Sequence, residues 1–278
     1  MRGLAEFVMR GRRQATFAVV LIGAIPLIYF LSPALVALVL LRKGLQEGAL
    51  LLAWAALPLL AWILYPVFVF GVVGNFLPLI VLFTVTGLAL VLRLTQSWQF
   101  TVLCAVGVGL LCEAYLRLQP QIIEVLLVQI NPLLEANGNQ QPVTLGDLIA
   151  LVASVHMGVV ILLLMLARWL QAGLYNPGGF RQEFHALRIE PRAAAPLVGL
   201  LLLSGLGLVL PEGWLLYFVM PLMLAGTALV HATIAIRKMS GLWLLVFYTV
   251  YPVIVQFLVL FALVDSWYDF RKHMRPSA

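Results

Sequence analysis

The residues Ile28-Tyr29-Phe30-Leu31-Ser32-Pro33 decide how this chain is read, because they interrupt its first long apolar stretch, residues 15–41. Proline has no backbone donor and restricts the residue before it, so Ser32-Pro33 can divide the stretch into two short helical arms. Arg2, Arg10, Arg12 and Arg13 precede it, and Arg42-Lys43 follow. A chain that turns near Ser32-Pro33 and returns to the side it entered keeps these charges together, whereas a single crossing separates them.

The sequence on either side is of the same apolar kind. Of 278 residues, 63% are hydrophobic and 10% charged, with a mean hydropathy of +1.07, whereas soluble domains carry roughly 25% charged residues. Further apolar segments run approximately over 45–64, 66–92, 97–116, 147–170, 194–210, 213–236 and 241–264, and most reach the roughly 20 residues that cross a hydrocarbon core. They are apolar on every face, which excludes the alternating strands of a membrane barrel. The expected fold is all-α, a polytopic transmembrane bundle of about 7–8 apolar helices with an N-terminal re-entrant hairpin, and residues 1–278 form one transmembrane domain. Helix ends are expected at Arg42-Lys43-Gly44, Tyr65-Pro66, Arg93 to Trp98, Pro211-Glu212-Gly213 and Arg237 to Gly241. The basic start and following apolar stretch have the outline of a signal peptide, but no small-x-small cleavage site follows, so the segment reads as a retained anchor.

Loop charges set the orientation. Residues 1–14 and 171–193 are rich in arginine, while 117–146 carries Arg117 against Glu124, Glu135 and Asp147. The positive-inside rule places the first two in the cytoplasm and the third outside. Five simple crossings between Met1 and Arg168 contradict this. Either the first segment is a hairpin or the 45–92 region lacks two full crossings; the hairpin is preferred because it keeps both Arg42-Lys43 and Arg93 inside. A helix over 241–264 that starts at a cytoplasmic Arg237-Lys238 should leave the tail with Asp265, Asp269, Arg271, Lys272 and Arg275 outside. The external stretch carries an amphipathic helix, with Ile122, Leu126, Ile130, Leu133 and Leu134 on one side and a bend at Pro132. The run Ala136-Asn-Gly-Asn-Gln-Gln-Pro142 then turns into Thr144, an N-cap with Asp147 three residues later.

Polar residues within apolar sequence are the functional candidates. Asn75 lies among Gly71, Gly74 and Pro78, where the backbone can distort. Glu113 has Arg117 at i+4, the favourable order for a helical ion pair, and becomes an acidic ligand if it faces a cavity. His156 and His231 need hydrogen-bond partners, and Thr227 lies on the same helical face as His231. Asn75, Glu113, His156 and His231 are the candidate ligand-binding set, with Tyr248 and Gln256 as further polar groups; packing and local pairing are the structural reading of each. In the segment Tyr175 to Pro191, a short helix can lay Phe180, Phe184 and Leu187 on one face and Arg181, His185 and Arg188 near another, beside Glu183. With Arg192 these form a surface for lipid headgroups or a protein partner, against the reading of a snorkelling interfacial helix. Arg42, Lys43 and Glu47 close the hairpin as a candidate gate, with local pairing of Glu47 to the basic pair as the structural reading. Cys104 and Cys112 have no metal-ligand pattern and read as small buried hydrophobes. No nucleophile-base constellation, metal motif or phosphate loop is present, so no cofactor, metal or nucleic acid is expected, and no catalytic residue is assigned.

The turn Leu41-Arg-Lys-Gly44 after a proline-broken apolar stretch, the run Asn176-Pro-Gly-Gly-Phe-Arg-Gln-Glu-Phe184 with Leu187-Arg188, and the order of segments over residues 15–265 resemble the YybS-like bacterial membrane proteins, a family of unknown function. That family is remotely similar to the substrate-binding membrane subunits of energy-coupling factor transporters. The resemblance implies a bacterial inner-membrane protein that binds a small molecule or helps transport it, relying on partner subunits for ATP-driven movement. The chain departs from a six-helix core by its extra C-terminal helices. The alternative function is a non-catalytic membrane scaffold that recruits a membrane or cytoplasmic protein through residues 175–191.

Overall fold

A computed structural model, which describes residues 1–64, 75–136, 143–207 and 209–274, divides the first apolar stretch into two helices. The expected break at Tyr65-Pro66, the glycines Gly71 and Gly74, the turn from Asn137 to Pro142 and the tail residue Arg275 lie outside the described residues. The chain forms two compact units, Met1–Gly178 and Gly179–Ala278.

The first unit contains α1 (Arg2–Arg10), α2 (Arg12–Ala24), a 3-10 turn (Tyr29–Leu31), α3 (Ser32–Lys43), α4 (Leu45–Leu64), α5 (Leu77–Thr95), α6 (Trp98–Leu118), α7 (Gln121–Ala136) and α8 (Leu145–Tyr175). Pro33 sits at the start of α3, where a missing backbone donor costs nothing because that position has no intrahelical partner. The arms α2 and α3 have 13 and 12 residues. At 1.5 Å per residue they reach about 20 Å, short of a hydrocarbon core of roughly 30 Å.

Backbone groups at the tip of such a hairpin need partners from protein. The turn supplies several itself, with Tyr29 donating to the Ile25 carbonyl at 2.9 Å and Leu31 to the Ile28 carbonyl at 2.9 Å, and two side chains tie the first arm to its neighbours. The Ser32 hydroxyl donates to the Val19 carbonyl at 3.0 Å, and the Trp62 indole donates to the Gly23 carbonyl at 3.0 Å. Close packing brings α4 alongside: a Cβ on Gly23 would fall 2.8 Å from Pro58, and one on Gly48 would fall 2.7 Å from Leu40. Residues Ser32 to Leu41 are all buried, because α3 packs against α2, α4, α5 and α8 and forms the centre of the unit. Replacing Trp62 with phenylalanine keeps the ring and removes the donor to Gly23. It is expected to lower stability by about 1 kcal/mol, read as a lower thermal midpoint of the detergent-solubilised protein; an unchanged midpoint would show that the tip does not depend on this bond.

Charge is sorted between the two ends of this unit. Arg93 at the end of α5 donates to the Leu40 carbonyl at 3.2 Å and to the Leu41 carbonyl, satisfying the C-terminal carbonyls of α3 with a cation. The Arg42 guanidinium lies 4.0 Å over the ring of Tyr175 at the end of α8. Arg12 at the start of α2 forks onto Glu47 at the start of α4, with its Nε 2.9 Å from Oε2. The start of α2 and the ends of α3, α5 and α8 therefore share one basic face. At the other end, the Phe76 backbone donates to the Tyr115 hydroxyl at 2.8 Å, joining the start of α5 to the last turns of α6. α4 and α5 have 20 and 19 residues, each long enough to cross a membrane.

Several local expectations appear as read. Thr144 and Asp147 form a reciprocal capping box at the start of α8, and Arg117 pairs with Glu113 on α6, Nε to Oε1 at 2.8 Å. α7 is a helix with Pro132 inside it that buries Ile122 and Ile123, but Leu133, expected on the same side as Ile122, is exposed together with Val125 and Val128, so the apolar side departs from the expected one.

The second unit contains α9 (Gly179–Ala186), α10 (Pro191–Gly205), a 3-10 turn (Glu212–Trp214), α11 (Leu215–Ile236), α12 (Leu242–Tyr268) and α13 (Phe270–Met274). Among the described residues, six helices are long and apolar enough to cross a membrane: α4, α5, α6, α8, Glu212–Ile236 and α12. The protein is a multi-pass helical membrane protein. The count falls below seven because the first stretch is split and α10 has only 15 residues. That helix stops where Gly207 adopts a φ of 61° and the Ser204 hydroxyl donates to the Pro211 carbonyl at 2.6 Å.

The expected separation of the tail from Arg237-Lys238 does not hold. Met239 and Trp243, at the start of α12, line the same cavity as Phe270 and Met274 beyond its end. A straight helix of 27 residues would hold its ends about 40 Å apart. α12 instead bends, and Pro252 inside it removes a backbone donor where the bend is required. The Thr233 hydroxyl near the end of α11 lies 3.7 Å from the Met274 sulfur, so the tail returns to the end of α11 that leads into Arg237-Lys238.

Candidate functional site

The second unit forms an open cavity of about 450 Å³ between α11, the bent α12 and α13, with Trp243, Val246 and Phe261 of its lining exposed. Leu229, Ile234, Val246, Phe247, Leu258 and Phe261 supply much of its wall. The Thr233 hydroxyl is already engaged, donating to the Leu229 carbonyl at 2.9 Å. Gly226 and Leu258 bring the two helices into direct contact: a Cβ on Gly226 would fall 2.4 Å from the Leu258 carbonyl oxygen. A small residue here lets two helix backbones approach, as at small-residue contacts between membrane helices. The cavity matches an apolar or amphipathic molecule in size and lining.

A polar and aromatic cluster borders this cavity through Phe247, which lines it and also meets His231 edge-on with ring centroids 6.4 Å apart. His231 Nε2 lies 2.8 Å from the Tyr248 hydroxyl. Phe184 of α9 contacts the same imidazole at 5.3 Å, and His185 at 6.3 Å, between ring centroids. The expected local partner, Thr227, instead donates to the Met223 carbonyl at 2.8 Å and lies 3.2 Å from the Tyr251 hydroxyl. The turn between α11 and α12 brings Tyr248 to His231, so the partner comes from the next helix. Burial pushes the His185 imidazole below its ordinary range, and the charges of Arg181, His231 and Arg271 add to the effect.

A second feature was only faintly marked in sequence. Arg271 is 8% exposed and Asp265 1% exposed. The guanidinium pairs with Asp265 and also donates to the carbonyls of His185 and Leu187, each at 2.8 Å. Asp265 Oδ1 accepts from the Phe270 backbone at 2.9 Å. Beside this group Arg188 pairs with Asp269 at 2.7 Å. The planar fork of arginine fits this fixed set of acceptors, and it fastens the tail to the segment after α9. The pattern Asp265, Asp269, Arg271 after an apolar helix is its only sequence signal.

The residues singled out from sequence are distributed as follows. Asn75, Glu113 and His156 belong to the first unit and His231 to the second. Asn75 is buried, with Oδ1 accepting from the Leu77 backbone at 3.0 Å; among the described residues its Nδ2 and the Nε2 of buried His156 have no hydrogen-bond partner. Glu113 is buried and ion-paired. Of the segment 175–191, Arg188 is held by Asp269 and the carbonyls of His185 and Leu187 by Arg271, while Arg181 and Arg192 are exposed and Glu183 is half-buried. Glu47 hydrogen-bonds Arg12, 35 positions away, while the Lys43 charge acts on it at longer range, because the hairpin returns α2 to the start of α4. Tyr248 adjoins the cavity through His231 and Phe247. Among the described residues no three His, Cys, Asp or Glu side chains cluster as a metal site, and Cys104 and Cys112 are free. Comparisons with known proteins find no matching family model, no matching curated protein and no matching solved structure.

Proposed function

We propose that this membrane protein binds a small apolar or amphipathic molecule, drawn from the bilayer, in the cavity of its second unit, and that it serves capture or transport of that molecule without an ATP site of its own. The observation that carries this reading is the cavity of about 450 Å³, apolar along its walls and bordered by His231, Tyr248 and His185 at Phe247. Membership of the YybS-like family, and through it a likeness to substrate-capturing subunits of energy-coupling factor transporters, is part of the same proposal. So is the topology. The hairpin α2–α3 enters and leaves on the basic face, which lies in the cytoplasm of a bacterial cell by the positive-inside rule. The rival reading, a scaffold that recruits a partner, rests on exposed Arg181 and Arg192 and is weakened by the internal engagement of Arg188.

The test compares the purified protein with a variant whose cavity is filled by Val230→Phe and Val246→Phe. Organic extracts of both are measured by mass spectrometry against the bulk lipid of the same membranes. The wild type is expected to carry a specific apolar compound that the filled variant lacks at an unchanged melting temperature. Equal contents in the two proteins would count against the cavity as the binding site.

A further inference from the structure

A different place in the molecule, the outer side of the hairpin in the first unit, joins an apolar groove to a basic cleft. The groove between α2 and α4 has a volume of about 400 Å³ and is walled by Phe17, Val20, Leu21, Ala24, Trp54 and Leu57. Phe17 is 59%, Leu57 52% and Trp54 44% exposed, so these side chains present an open apolar channel along the hairpin. At the basic end, Arg12, Lys43 and Glu47 line a cleft of only about 10 Å³, so a phosphate would meet the exposed Arg12 and Lys43 at its mouth rather than inside it. Thr16 lines both the groove and the cleft, which makes them one continuous track running from charge to hydrocarbon.

The charges of that cleft do not cancel. Glu47 occupies Nε and Nη2 of Arg12 and leaves Nη1 directed away from the pair. Lys43 is exposed at the end of α3. Arg12 and Lys43 against Glu47 leave one positive charge, which matches one phosphodiester. An apolar partner helix would fill the groove and leave this charge unanswered; a free phosphate would answer the charge and leave the groove empty. A molecule with a monoanionic head and a long chain satisfies both ends.

We propose that the track holds one anionic phospholipid, with its phosphate at Arg12 and Lys43 and an acyl chain along α2 between Thr16 and Ala24. The bound lipid covers the exposed face of a hairpin whose arms are too short to cross the bilayer. It ties the start of α2 to the end of α3, the two places where the hairpin meets the membrane surface.

The experiment is native mass spectrometry of the full chain, delipidated in detergent and titrated with phosphatidylglycerol or with phosphatidylcholine of the same dioleoyl chains. The wild type is expected to retain one phosphatidylglycerol in preference to phosphatidylcholine. Lys43→Gln, a change at an exposed side chain, is expected to weaken phosphatidylglycerol binding about fivefold, the loss of one basic residue at an anionic lipid surface. Ala24→Phe, which fills the groove, is expected to weaken both lipids and leave the melting temperature unchanged. Equal retention of the two lipids by the wild type overturns the proposal, as does an undiminished preference in Lys43→Gln. A dimer that Ala24→Phe dissolves overturns it too, because the groove would then belong to a second copy of the chain. These outcomes are independent of the second-unit cavity, whose contents are read from different variants.

Discussion

Replacing Arg271 with methionine is expected to destabilise the second unit by about 3–5 kcal/mol, the cost of leaving a buried charge without its partner. The loss has three parts in this structure. Asp265, 1% exposed, keeps a carboxylate with no counter-charge, and the carbonyls of His185 and Leu187 lose their donors. The tail then no longer holds the segment after α9. Whole domains are stable by about 5–15 kcal/mol, so this is a large fraction of what is available. Limited proteolysis between Ala186 and Pro191 reads the effect directly, with faster cleavage in Arg271→Met than in the wild type. The double variant Asp265→Leu with Arg271→Met removes the stranded charge and should recover a substantial part of the loss, since apolar replacement of a buried pair is often close to neutral. Cleavage of Arg271→Met at the wild-type rate would show that the tail is not fastened there.

The second large effect is expected from Gly226→Ala. The new methyl would sit 2.4 Å from the Leu258 carbonyl oxygen and 2.9 Å from its carbon. These are backbone atoms, so no side-chain rotation relieves the clash, and α11 and α12 must separate. Overpacking of this kind costs about 1–3 kcal/mol. It also deforms the cavity that both helices line, so the bound compound should be lost together with a drop in melting temperature. Gly199→Ala on α10 is the control: a Cβ there meets nothing within 4 Å, and alanine is favoured over glycine within a helix by about 1 kcal/mol. If the two variants melt alike, close contact at Gly226 does not organise the cavity.

What the sequence revealed followed the range of the interaction concerned. Ser32-Pro33 was readable because proline acts on its own backbone, and the clash between five crossings and the arginine-rich loops pointed to the same place. The Glu113–Arg117 pair and the Thr144 capping box were readable because their partners lie three or four residues apart on one helix. Glu47 was misjudged because its partner Arg12 comes from the other arm of the hairpin. The tail was misjudged because hydropathy gives the length of α12 but not its bend. Once Pro252 allows that bend, Arg271 reaches carbonyls 84 and 86 positions back in the chain. The cavity was not readable at all. It depends on one glycine meeting one carbonyl across two helices, and its apolar lining has the same composition as a lipid-facing surface. Of the polar residues taken as a ligand set, Asn75, Glu113 and His156 are buried in the first unit and His231 is partly exposed in the second.

Site-directed labelling tests the central claim, a hairpin that enters and leaves on the basic face and is followed by four crossings to Tyr175. In a background carrying Cys104→Ala and Cys112→Ala, single cysteines are placed by Gly3→Cys, Thr95→Cys, Asn176→Cys, Gln119→Cys and Leu27→Cys and probed with a membrane-impermeant maleimide from each side. The first three should react from one side, Gln119→Cys from the other, and Leu27→Cys, at the hairpin turn and 84% exposed on the protein surface, from neither. Reaction of Leu27→Cys from the side of Gln119→Cys would mean that the first arm crosses the membrane, and it would contradict the account.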